Sequence, residues 1–126
     1  MRRFLTRASP RAPLFQHEYD SGNQTITSGG ALTLTHGLGG SPKLVMLLLK
    51  CVTGEAGYSA GDEVLIGHNQ DIAGALSQGV SIVPNMTSID VRFGSEVNAF
   101  SVLAKNNGVA SDLTNANWAL VVRAWR

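Results

Sequence analysis

The chain has 126 residues, with 44% hydrophobic side chains, 15% charged ones, 14 glycines and a formal net charge of +1. This length fits one domain, and the near-zero net charge argues against a chain that binds nucleic acid over its whole surface. A single cysteine, Cys51, excludes an internal disulfide framework and a Cys-rich zinc site, and the longest apolar run, Leu44–Leu49, falls far short of the ~20 residues of a membrane-spanning helix.

The first element is an arm, residues 1–22, whose first part is strongly basic. Residues 1–15 hold Arg2, Arg3, Arg7 and Arg11 and no acid, whereas the other 111 residues carry six basic and nine acidic side chains. Pro10 and Pro13 keep the arm out of regular helix and bias it toward extended backbone. It lacks the 7–15-residue apolar stretch of a secretory signal. Phe4, Leu5, Leu14 and Phe15 have no local core to join, and arginine favours fixed, bidentate contacts to carboxylates. The arm therefore reads as a protein-docking element that inserts into a neighbour, with nucleic acid a lesser reading.

Residues 23–126 read as one β-domain. Gln24–Thr27 and Ala31–Thr35 flank Ser28-Gly29-Gly30, the pattern of a hairpin. A Gly-rich turn, His36 to Pro42, precedes Lys43–Val52, which is apolar on both alternation sets and reads as a strand covered on two faces. Asp62–Gly67 is a short strand, and Asn69–Gln78 fits either a loop or one helical turn. Val80–Val83 and Ser88–Phe93 flank a hairpin turn, and in the second strand Ile89, Val91 and Phe93 alternate with Asp90 and Arg92. Phe100–Ala104 is a strand, and Lys105–Asn117 reads as a long polar loop. Trp118–Trp125 closes the chain with Trp118, Leu120 and Val122 on one face, and Ala119, Val121, Arg123 and Trp125 on the other. About eight short strands without an amphipathic helix predict an all-β fold, an antiparallel β-sandwich or jelly roll.

Catalytic and metal-binding patterns are sparse. His17, His36 and His68 form no ligand pair at i, i+2 or i+4, and His36 reads as a turn residue. Asp62, Glu63 and Asp71 lie close in sequence without EF-hand spacing, so a solvated polar loop is the reading and an ion the lesser one. No G-x-S-x-G nucleophile elbow occurs, and the GLGGSP segment lacks the G-K-[ST] ending of a phosphate loop. Cys51, inside an apolar run, reads as a buried small hydrophobe. The expectation is a protein that is not an enzyme, with no cofactor and no metal.

Three motifs carry a resemblance: His36-Gly37-Leu38-Gly39, Gly57-Tyr58-Ser59 with Gly61-Asp62, and Thr114-Asn115-Ala116-Asn117-Trp118. Over about residues 19–126 the chain resembles small virion proteins of tailed bacteriophages, β-sandwich modules at tail-fibre tips or on other particle appendages. The resemblance implies a homotrimer on the virion surface, made in the host cytoplasm. In that setting Arg2, Arg3, Phe4, Leu5, Arg7, Arg11, Leu14 and Phe15 would anchor the arm to other virion proteins. Loop residues Tyr58, His68, Asn69, Asn106, Asn107 and Asn115 would face a host receptor such as surface carbohydrate. The two-sided apolar strand and the out-of-core Trp125 agree with burial between subunits. A capsid decoration protein that stabilises the head shell is the alternative, and a carbohydrate-active enzyme ranks behind both. Membrane insertion is not expected.

Overall fold

Strands follow one another almost without interruption in a computed structural model that describes residues 14–67 and 77–126. In chain order they are β1 (Glu18–Asp20), β2 (Gln24–Thr25), β3 (Ala31–Thr35), β4 (Leu44–Cys51) and β5 (Glu63–Ile66). Then come β6 (Val80–Pro84), β7 (Ser88–Phe93), β8 (Ser101–Leu103), β9 (Ala110–Asp112) and β10 (Trp118–Trp125), the last entered through a 3-10 turn at Asn115–Asn117. All pairings among them are antiparallel. The expected all-β class is therefore observed.

The first sheet has the order β1-β10-β4-β5, and β2 continues along the same edge of β10 as β1. The second sheet has the order β3-β7-β6, and β8 and β9 form a separate pair. Directly opposed residues of an antiparallel pair share a face. The register Trp118↔Cys51, Leu120↔Leu49 and Val122↔Leu47 therefore sets one apolar face on the first sheet. Leu34↔Ile89 and Leu32↔Val91 set another on the second. These side chains, with Phe93 and Phe100, form one buried cluster, against which the half-buried Leu32 packs. Phe93 and Phe100 meet edge to face, with ring centroids 6.1 Å apart. Each fully buried large side chain contributes about 1.5–3 kcal/mol of transfer free energy, so this cluster dominates the stabilisation of the fold.

Three sequence expectations are corrected. Gln24–Thr27 and Ala31–Thr35 do not form a hairpin: β2 pairs with β10 and β3 with β7, so Ser28-Gly29-Gly30 carries the chain from one sheet to the other. The turn signal is real, since the Gly30 N–H donates to Thr27 O at 2.8 Å and Gly29 has φ +69°. Its direction is set by remote partners: Ser28 Oγ donates to Val97 O, and Asn115 Nδ2 donates to Ser28 Oγ. The polar loop over Lys105–Asn117 contains β9, which returns against β8, and the buried Leu113.

The arm also ends earlier than residue 22. Glu18–Asp20 pair with Trp125–Arg123 as β1, because β10 offers an otherwise open edge whose backbone groups need partners. The Gln16 and His17 N–H groups both donate to Arg126 O. The Phe15 ring lies 6.3 Å from that of Trp125 in the same chain.

Candidate functional site

Two of the three motif segments, those around Tyr58 and Trp118, meet at one junction. Ala56, in the turn between β4 and β5, has φ +56°, and Gly57 follows at φ +82° with no room for a Cβ beside Asn106. This turn aims the Glu55 carboxylate at the segment that leads into β10. Glu55 accepts from Thr114 N at 2.8 Å, Thr114 Oγ1 at 2.7 Å and Trp118 Nε1 at 2.9 Å. Burial pushes the Glu55 carboxyl up, but donation from Thr114, Trp118 and Asn117 outweighs it and holds the group below its ordinary value. Tyr58 packs edge-on against Trp118 at 5.5 Å and donates its hydroxyl to Leu103 O. The Ser59 N–H and Lys105 Nζ donate to Asp62, which lowers the Asp62 carboxyl in the same order. The Gly-Tyr-Ser, Gly-Asp and Thr-Asn-Ala-Asn-Trp motifs thus hold one another in place.

Two of the expected receptor-facing residues also serve the fold: Tyr58 through its bond to Leu103, and Asn115, which accepts from Ala99 N–H and donates to Ser28. Asn106 and Asn107 are exposed at the turn between β8 and β9, where Asn107 Oδ1 accepts from Val109 N–H. His68 and Asn69 lie outside the described residues.

Metal-binding expectations are met with competing partners. Asp62 pairs with Lys105 at 3.0 Å and Glu63 pairs with Arg123 at 2.9 Å. As neighbours at the start of a strand they also diverge. Asp71 lies outside the described residues, among which no group of three potential ligands forms. His36 is buried and serves the turn after β3: its Nε2 meets Asn85 O at 2.8 Å and its Nδ1 accepts the Leu38 N–H. Cys51 is 1% exposed, and burial raises its thiol pKa.

The outer face of the first sheet carries the second apolar set. Leu48 and Val121 are opposed on it and buried, while Leu65, opposite Leu48 on the other side, is 64% exposed and Leu44 is 43% exposed. Arg123 crosses this face to bond Asp20 at 3.0 Å and Glu63 at 2.9 Å. Both bonds raise its pKa, the one to Asp20 more. Phe15 takes part of the Trp125 surface from within the chain.

At the end where β10 finishes and β4 begins, Leu14, Gln16, His17, Lys43 and Arg126 line a hollow of about 190 Å³ with no acid in its wall. Leu14 is 75% exposed there. The other anchoring candidates, Arg2, Arg3, Phe4, Leu5, Arg7 and Arg11, precede this hollow in sequence and lie outside the described residues. The junction built on Glu55 and Trp118 sits at the opposite end of the same strands.

The sequence reading missed a concavity of about 590 Å³ on the outer face of the second sheet beside Arg92. Arg92 was legible only as the wet half of an alternating strand. No family model and no curated protein matches the chain. Among the described residues no helix is long and apolar enough to cross a membrane.

Proposed function

We propose that this protein is a non-enzymatic subunit of a bacteriophage particle. In this reading it is a trimeric surface appendage of the tail-fibre or receptor-binding tip type, a two-sheet β-sandwich attached through its N-terminal residues. The observation that carries the reading is the outer face of the first sheet. Leu65 and Leu44 remain exposed beside the buried Leu48 and Val121, apolar surface between the ion pairs of Arg123 on a sheet that already covers the core with its other side. A copy of the same chain is the occupant that matches such a face in a homo-oligomer, where interfaces are more apolar than ordinary surface.

The two ends of the strands support the orientation. The arm enters beside His17, Lys43 and Arg126, whereas Asn106 and Asn107 lie at the remote end. Attachment at the first end leaves the second facing outward.

Sedimentation at micromolar concentration tests the assembly. The wild type is expected as a trimer, and Leu65→Arg as a monomer with an unchanged circular dichroism spectrum. A monomeric wild type overturns the reading. Deleting residues 1–13 is expected to leave a folded protein that no longer enters particles; the cut stops there because Phe15 packs on Trp125. Copy number in purified particles separates the two virion roles. A few to a few tens support the tip, and hundreds support shell decoration.

A further inference from the structure

The outer face of the second sheet is ordered in rows. Thr33, Asp90 and Val83 form one row, and Ala31, Arg92 and Ser81 the next. The row beyond is Gly29, Gly94 and Gly79, joined side by side by Gly29 N–H to Gly94 O and Gly94 N–H to Gly79 O, each at 2.8 Å. Each glycine has its own backbone reason. Gly29 and Gly79 have φ +69° and +107°, and the place of a Cβ on Gly94 is taken by the Ser77 and Gln78 backbone, which crosses the row there. An open concavity of about 590 Å³ lies beside this crossing, lined by Ser77, Ser81, Arg92 and Ser95 among others.

The rim is chemically one-sided. Among the described residues Arg92 is the only charged side chain lining the hollow, and the exposed Ser77, Ser81 and Ser95 stand around it. Arg92 Nη1 donates to Gly29 O at 3.1 Å, which steadies the guanidinium beside that turn. Among the described residues Arg92 forms no ion pair, so the rest of its fork is free for an anion. Glu96 lies near in sequence but does not line the hollow. Behind the wall, Gln78 is 8% exposed and donates to Asn98 O and Asp112 Oδ1, fixing the segment that carries Gly79.

A second hollow of about 300 Å³ shares Arg92 and Ser81 with the first and adds Thr33 and Asp90. The groove thus passes from a cationic, hydroxyl-rimmed cradle to a patch offering a carboxylate acceptor. Small side chains leave room for a flat ring to lie on the strands, and no aromatic anchor of the kind that marks protein interfaces projects from these rows.

We propose that this groove binds an acidic saccharide: the carboxylate of a uronic-acid-type residue on Arg92, its ring hydroxyls against Ser81 and Ser95, and a neighbouring sugar against Asp90 and Thr33. The site stands on the groove itself; its role in recognising a host surface rests on the appendage reading.

Calorimetry with the full chain tests it, using trigalacturonate, the neutral trisaccharide maltotriose, and citrate as a non-sugar anion. Trigalacturonate is expected to bind, with maltotriose and citrate each about 10-fold weaker or more. Arg92→Gln is expected to weaken trigalacturonate about 10-fold or more, with Arg92→Lys between the two. Ser81→Phe, which fills the groove from an exposed position, is expected to abolish binding without lowering the melting temperature. Equal binding of maltotriose or citrate, insensitivity to Arg92→Gln and Ser81→Phe, or no trigalacturonate binding up to about 10 mM overturns the proposal. Loss of the saccharide with normal incorporation into particles overturns this site alone. Saccharide binding by a protein that never enters particles overturns the appendage reading alone.

Discussion

Replacing Glu55 by alanine tests whether one carboxylate holds the motif junction together. The substitution removes the acceptor of three donors at 2.7–2.9 Å. Thr114 is exposed, so water replaces much of what its two donors lose, and that part costs about 1 kcal/mol. Trp118 is 3% exposed, and an indole N–H stranded at that depth costs about 1–3 kcal/mol more. The expected loss is therefore about 2–4 kcal/mol at pH 7. Glu55→Gln keeps an acceptor of the same shape and is expected to lose only about 1 kcal/mol, the share due to charge. The sign of the pH dependence follows from the depressed carboxyl. Its ordinary value is 4.5 and its folded value lies lower, so the stabilisation due to its charge is complete above 4.5 and is lost as pH falls through the folded value. The gap between wild type and Glu55→Ala should be constant from neutral pH down to about 4.5, narrow by about 1 kcal/mol, the share due to charge, as pH falls from there through the folded value, and level off below it. Urea unfolding at one fixed protein concentration, followed by tryptophan fluorescence at a series of pH values, measures the gap. A Glu55→Ala protein within about 0.5 kcal/mol of wild type at pH 7 would refute the reasoning.

Two further substitutions and one labelling experiment probe the fold at separate places. Gly94→Ala is expected to destabilise by at least about 2 kcal/mol, because its Cβ would press on the backbone oxygen of Ser77, which cannot swing aside. Gly67→Ala, with nothing near its Cβ and no positive φ, is expected to stay within about 0.5 kcal/mol of wild type; equal thermal midpoints for the two variants would contradict the packing. Cys51, buried with its thiol pushed up, is expected to resist Ellman's reagent in the native protein and to react fully in urea. Native labelling at the rate of a free thiol would place the residue elsewhere.

The parts of the fold legible in the sequence are those decided within a few residues. Trp118–Trp125 shows its two faces by period alone, and the Leu44–Cys51 strand is bounded by Pro42 and by Thr53-Gly54. Ile89, Val91 and Phe93 are buried in alternation with exposed Asp90 and Arg92. The failures have the opposite character. Whether Ser28-Gly29-Gly30 closes a hairpin or crosses between sheets depends on Val97 and Asn115, 69 and 87 residues from Ser28. No local pattern carries that choice. Likewise β9 is polar in composition and becomes a strand through its pairing with β8. Side-chain roles depend on remote partners in the same way. Tyr58 and Asn115 have the chemistry of recognition residues, and the fold also uses their polar groups, in bonds to Leu103, Ala99 and Ser28.

Two of the three motif segments, around Tyr58 and around Trp118, build the junction, while His36-Gly37-Leu38-Gly39 lies at the other end of β10, where Leu38 O accepts from Arg126. Glu55, Tyr58, Asp62, Thr114 and Trp118 are tied to each other or to the backbone, so exchanging any of them costs stability before it touches a ligand. The groove beside Arg92 obeys a different constraint. Gly29, Gly79 and Gly94 are held by backbone conformation or by close approach, but Arg92, Ser81 and Ser95 are exposed side chains whose exchange leaves the core untouched. A module of this kind can keep its junction and its glycine row while the rim changes from one ligand to another. Recognition on such a scaffold is expected to vary at Arg92, Ser81, Ser95 and Asp90, and not at the motif residues.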